Sequence, residues 1–242
     1  MEVYTFDPTS TIEPPPELRP AVIFNLPERR RPDFPLFHFT CRTYPLPRGD
    51  LSHLDGKPGI QRPPAASFRT SRDDSILVFS FITLAENDGS VHQAQVGLTF
   101  LVHRRALLSI VQQSRGSLER EVYWEDWGPP ITRWLEGHRP TRWICFVHGH
   151  RLVTMEEQLG RRNETICVYD FNPVAVARAR SLSVPSDLMT DSTPSLFLEA
   201  DKLFKDEVVG YLPFLQARSE EAFVCSGAMI DDQRIMLMQV RK

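Results

Sequence analysis

Proline punctuates the first quarter of this chain so heavily that long regular elements are excluded there. Thirteen of its twenty prolines lie between Pro8 and Pro64, among them Pro14-Pro15-Pro16 and Pro63-Pro64. Proline has a fixed φ and no backbone N–H, so neither a helix nor a central strand runs through such segments. Only short strands fit between the breaks. The clearest is FPLFHFTCRTY (34–44), where Phe37, Phe39 and Cys41 alternate with His38, Thr40 and Arg42. That period of two predicts a half-buried strand. The segment GDLSHLDGKPG (49–59) reads as a loop.

From Asp73 onward strands follow one another more regularly. ILVFSFITL (76–84) is apolar on both faces, and Asn87-Asp88-Gly89 supplies hairpin-turn chemistry after it. VHQAQVGLTFLV (91–102) places Ala94, Val96, Leu98, Phe100 and Val102 on one face. RWICFVHGHRLVTM (142–155) and EAFVCSGAMIDDQRIMLMQV (221–240) read as further hairpins, the second turning at Asp231-Asp232. Short helices are predicted only near Arg105–Gln113 and Val174–Arg180. The pattern predicts an all-β fold of antiparallel meanders, with long Pro-rich loops and very little helix. With 242 residues and 41% hydrophobic content the chain can bury a sizeable core. It reads as a single β-rich domain over 1–242: Pro-rich loops and short strands over 1–72, then regular antiparallel hairpins over 73–242.

Charge and cysteine usage narrow the partners. The net charge is −3, from 28 Lys and Arg against 31 Asp and Glu. Phosphate binding needs a concentrated basic surface, so nucleic acid is not the expected partner. Arg29-Arg30-Arg31 reads as a solvated loop. The four cysteines, Cys41, Cys145, Cys167 and Cys225, are widely spaced with no CxxC pair. Reduced thiols in a cytoplasmic or nuclear protein fit that pattern better than a disulfide scaffold. No apolar run reaches the roughly 18 residues of a membrane span, and no signal peptide opens the chain.

One eight-residue phrase occurs twice: MEVYTFDP at 1–8 and ICVYDFNP at 166–173. Each is a β-rich segment stopped by a proline. Equivalent strands in a repeated sheet unit would explain the recurrence, and β-propeller blades of four strands repeat at suitable intervals. Chance similarity between two aromatic strand ends is the alternative. If the phrase is a repeat, Val3-Tyr4 and Val168-Tyr169 should occupy equivalent strands with valine and phenylalanine on the packed side.

The most distinctive segment is EVYWEDWGPPITRWLE (121–136). Its Trp124, Trp127, Gly128, Pro129, Thr132 and Arg133 resemble a W-x-x-W-G-P-x-x-T-R motif found in the C-terminal region of basidiomycete fungal F-box-type proteins. The similarity continues in order through RWICFVHGHRLV, ICVYDFNP, YLPF (211–214) and SGAMIDDQRIMLMQV. EVYTFDP and the FNLP segment resemble that family's lead-in. The resemblance implies a propeller-like β-rich module that recruits substrates behind an N-terminal F-box. The leucine- and proline-rich helical segment that would serve as an F-box is not found here, so docking on a ubiquitin-ligase adaptor is not expected of this polypeptide. The expected function is a non-enzymatic protein-interaction module; a cryptic enzyme, its site built from distant residues, is the alternative.

The tryptophan motif allows two readings. Trp124 and Trp127 stand three apart with Gly128-Pro129-Pro130 directly after, which predicts a turn. Rings of this size can anchor a long loop on a sheet, with Arg133 or Arg142 stacked upon them. Tryptophan and arginine are also favoured at interface hot spots, so Trp124, Trp127, Arg133 and Trp134 are the candidate interaction or loop-anchoring residues.

Catalytic and metal chemistry finds less support. Cys145, His148 and His150 form the one soft-ligand cluster, but on a strand Cys145 faces away from both histidines. Asp231-Asp232 and Glu156-Glu157 are adjacent carboxylates whose side chains point apart. Ser226, in CSGA, lacks the first glycine of a nucleophile elbow. No catalytic residue, metal or cofactor is expected. The last strand, RIMLMQV (234–240), is apolar on both faces and needs a covering layer and an edge partner. An incomplete propeller would leave its terminal sheets open, so self-association or aggregation of the isolated chain is expected.

Overall fold

The computed structural model describes residues 1–3, 21–30, 37–43, 74–85, 94–114, 121–135, 146–157, 164–181, 188–191, 195–196, 203–231 and 234–239. In chain order its elements begin with β1 (Glu2–Val3), β2 (Val22–Phe24), β3 (Phe37–Arg42), β4 (Ile76–Ala85), β5 (Ala94–His103) and α1 (Arg104–Gln113). There follow β6 (Glu121–Val122), α2 (Trp124–Ile131), β7 (Thr132–Leu135), β8 (Val147–His148), β9 (Arg151–Glu157), β10 (Glu164–Asp170) and α3 (Pro173–Ser181). The chain continues with β11 (Leu188–Asp191), β12 (Ser195–Leu196), β13 (Val209–Gly210), β14 (Phe214–Phe223), β15 (Gly227–Ile230) and β16 (Ile235–Met238). The fold is all-β, mostly antiparallel, with three short helices. Among the described residues no sheet closes on itself.

The chain forms two compact units, and β3 and β4 each pass from one to the other partway along. The first comprises Met1–Phe39, Ser80–Glu136 and Ser192–Leu212. It holds a three-stranded sheet of order β1-β2-β6, a four-stranded sheet of order β3-β4-β5-β7 and the pair β12-β13. β2 pairs antiparallel with β1 and parallel with β6. Its side chains Val22 and Phe24 are fully buried. On β5, Leu98, Phe100 and Val102 are buried as the alternation predicts, but Thr99 and Leu101 are buried too. Burial of both sets means that both faces of the sheet are covered at β5, whose edges pair with β4 and β7. β5 runs straight into α1, whose first turn is capped by the His103 ring, Nδ1 accepting from Ala106 N at 3.4 Å. Leu107 and Val111, one turn apart, form the buried side of α1.

The second unit comprises Thr40–Phe79, Gly137–Asp191 and Pro213–Lys242. Its five-stranded sheet has the order β11-β14-β10-β9-β8, antiparallel throughout. The predicted hairpin at 142–155 is present as β8 and β9, turning at Gly149 with φ 57°, a left-handed conformation that glycine adopts without strain. The predicted C-terminal hairpin is present as β15 and β16. Asp231 Oδ1 accepts from Arg234 N at 2.8 Å across its turn, and Ser226 donates N–H and O–H to the Met238 carbonyl at its open end. A register shift between Thr165 and Cys167 is filled by Ser219, whose hydroxyl accepts from Ile166 N at 3.0 Å.

The second copy of the repeated phrase does more than stop a strand. ICVYD is most of β10, flanked by two partners, and the chain then turns by side-chain capping. Asp170 Oδ1 accepts from Asn172 N at 2.9 Å, and Asn172 Oδ1 accepts from Val174 N at 2.9 Å and Ala175 N at 3.3 Å. Pro173 then takes the first helical position, where its missing N–H costs nothing. In the first copy only Met1–Val3 are described, and among the described residues Glu2–Val3 pairs with β2. The rest of the first copy, Tyr4 of the Val3-Tyr4 pair included, lies outside the described residues. Within β10 the packed residue is Tyr169 rather than Val168, while Phe171 is buried just beyond the strand.

Three other expectations need correction or placing. Gly128-Pro129-Pro130 does not end the segment in a turn after Trp127; it lies inside α2, which stops directly afterwards at Ile131. The absent Cβ of Gly128 is what lets the chain stay helical, because Trp124 fills that space. On β3 the described part of the apolar side is only partly covered: Phe39 is 49% exposed with its ring 6.3 Å from that of Phe81, and Cys41 is exposed. Alternation reports which residues share a face, not what covers it. The turn at Asn87-Asp88-Gly89, Arg142, Cys145 and Tyr4–Pro8 lie outside the described residues.

Candidate functional site

The tryptophan motif builds a buried aromatic cluster in the first unit. Trp127 is fully buried, and Trp124, Arg133 and Trp134 are each at most 5% exposed. Ring centroids lie 5.1 Å apart for Trp124–Trp127, 5.9 Å for Trp124–Trp134 and 5.1 Å for Phe24–Trp127. Trp134 stacks on Phe100 at 4.9 Å and meets the edge of Phe204 at 5.7 Å. The offset and edge-on geometries are those favoured by ring quadrupoles. Trp127 Nε1 donates to the Asn25 carbonyl at 2.9 Å, so the indole is satisfied while buried. A Cβ on Gly128 would stand 2.4 Å from the Trp124 ring, which explains why glycine follows the second tryptophan.

The prolines leave α2 short, and its end is held by the segment carrying YLP. Tyr211 N donates to the Pro129 carbonyl at 2.8 Å, and Leu212 N to the Thr132 carbonyl at 3.0 Å. Gly210 makes this approach possible, since a Cβ there would lie 2.6 Å from the Thr132 oxygen. Arg133, opposite Leu101 on β5, is buried with the strand. The structure thus brings Trp124, Trp127 and Trp134 together as a framework, with Arg133 beside them on β7.

Open, chemically mixed surface occurs instead in the second unit. A groove of about 370 Å³ has Val168, Leu215, Ala217 and Ile230 among its apolar lining. Two ion pairs contribute to it. Arg151 and Asp170 face each other across the β9–β10 ladder, with Nε donating to Oδ2 at 3.2 Å. Asp231 and Arg234 pair across the hairpin turn at 3.0 Å. In each pair the arginine is the more exposed partner: Arg151 46% against Asp170 21%, and Arg234 73% against Asp231 34%. Ile235 also lines the groove, and from it β16 carries Ile235 and Leu237 out to 42% and 39% exposure. Among the described residues β16 has one ladder neighbour, β15.

Burial pushes the Cys167 thiol up to about 12, with the neighbouring Glu156 adding to the effect. Such a thiol stays protonated and inert. Burial likewise raises Tyr169, whose hydroxyl accepts from Gln216 Nε2 at 3.3 Å. His148 is buried on β8 and His150 lies in the adjacent turn. No group of three or more metal-ligating side chains forms among the described residues, and no helix is long and apolar enough to cross a membrane.

The sequence reading singled out the tryptophans and missed the groove. One signal pointed to it: RIMLMQV is apolar on both faces, and on its strand Ile235 and Leu237 are exposed. In comparisons with family models, curated proteins and solved structures, nothing matches this chain.

Proposed function

We propose that the protein is a non-enzymatic protein-interaction module that receives its partner on the groove and C-terminal hairpin of the second unit. In this reading it is similar to the substrate-recruiting region of fungal F-box-type proteins, with the tryptophan cluster as framework and the sheets as propeller-like blades. The observation that carries the reading is the pair Ile235 and Leu237, two large apolar side chains exposed on one strand beside an apolar groove. Adjoining exposed apolar surface of this kind marks contact sites. The partner in this reading is a protein, met in the cytoplasm or nucleus.

The test is capture from a fungal extract on the immobilised chain and on its Ile235→Asp, Leu237→Asp double variant. Both positions are exposed, so the variant keeps its fold, which circular dichroism verifies. The reading expects a discrete set of proteins held by the parent and reduced about tenfold or more on the variant, the size of a hot-spot loss. Equal retention by both would remove the hairpin from the function.

A further inference from the structure

Resting on that reading, we infer that the groove takes an extended peptide segment whose apolar side chains alternate and whose ends carry carboxylates. Two features of the site combine to this. The first is backbone geometry. β16 has β15 as its ladder neighbour among the described residues, so its other edge can be extended by an added strand. An added strand sends alternate side chains to one side, and the groove that Ile235 lines offers apolar surface from Val168, Leu215 and Ile230.

The second feature is the orientation of charge. The groove holds two arginines and two aspartates, which cancel in sum but not in placement. Asp170 and Asp231 are the more covered members of their pairs, and Arg151 and Arg234 the more exposed. An approaching segment therefore meets guanidinium groups ahead of carboxylates. Guanidinium forks accept a second carboxylate readily, because they carry five donors in a plane. A segment with basic ends meets the same groups as like charges, which lowers its affinity and its association rate. The chemistry selects acidic-flanked apolar segments over basic-flanked ones of equal hydrophobicity.

Three fluorescent six-residue peptides test this against the full chain by polarisation. One has leucine at two alternate positions and glutamate at both ends. The second replaces the glutamates with lysines; the third keeps the glutamates and replaces the leucines with serines. The first should bind at least about fivefold tighter than either other, with the advantage over the lysine peptide shrinking as salt screens it. On Arg234→Glu the order of the glutamate and lysine peptides should reverse, a result that simple unfolding would not give. Equal binding of the glutamate and lysine peptides overturns the inference while leaving the interaction reading intact. Binding by none of them overturns it too, and the extract capture then decides the broader reading by itself. A concentration-dependent dimer that excludes the first peptide would assign the groove to a second copy of the chain, and would also overturn it.

Discussion

Trp127 and Gly128 show how much one residue can fix. Trp127 is fully enclosed and hydrogen-bonded, so Trp127→Ala removes a ring and strands the Asn25 carbonyl; the expected loss is about 3–5 kcal/mol in chemical unfolding. Gly128→Ala adds one methyl group against a Trp124 ring that is itself wedged among Trp127 and Trp134, and should cost about 1–3 kcal/mol. Wild-type stability for Gly128→Ala would show that the Trp124 ring is loosely held. Cys167 gives a prediction in pH. Its folded thiol is raised from the ordinary 9.0 to about 12, chiefly by burial. Between those values the unfolded chain releases the proton while the folded chain keeps it, so stability falls as pH rises from about 9 towards 12. Cys167→Ala should make that fall shallower in denaturation midpoints measured across this range, leaving the shares due to Tyr169, Cys41 and Cys225, which burial also raises. The sequence identifies these residues but not their burial: an aromatic motif at helical spacing serves a framework or a contact surface equally well until its neighbours are known.

Elements were legible where one periodicity dominates. α1, α3 and the two hairpins lie where the pattern places them, because their apolar spacing and turn residues agree. α2 was missed because glycine and two prolines read as a stop, and only Trp124 packing over Gly128 shows why the helix persists to Ile131. The phrase Asp170-Phe171-Asn172-Pro173 read as a strand end and is also a helix start. Its second role rests on side-chain caps, so Asn172→Ala should cost about 1 kcal/mol, while Asn172→Asp keeps an acceptor and should cost less. Thermal unfolding of the two variants distinguishes them. Equal losses would mean that the cap contributes little beyond the geometry that Pro173 already sets.

At the scale of the whole molecule, the buried aromatic framework and the proposed contact surface fall in different places. The framework is the tryptophan cluster of the first unit; the proposed contact surface is the groove and hairpin of the second. The groove was illegible in the sequence because its lining comes from positions near 151, 168–170, 215–217 and 230–235, which meet only through strand pairing. Arg151 and Asp170 are nineteen positions apart and become opposite neighbours only in the β9–β10 register. The central claim is that a partner docks at β16. Amide hydrogen exchange across the full chain, with and without the glutamate-ended leucine peptide, tests it most directly. Slowed exchange is expected in Ile235–Met238 and the adjoining groove strands, with the amides around Trp124–Ile131 unchanged. Protection centred on the tryptophan segment, with none in β16, would contradict it.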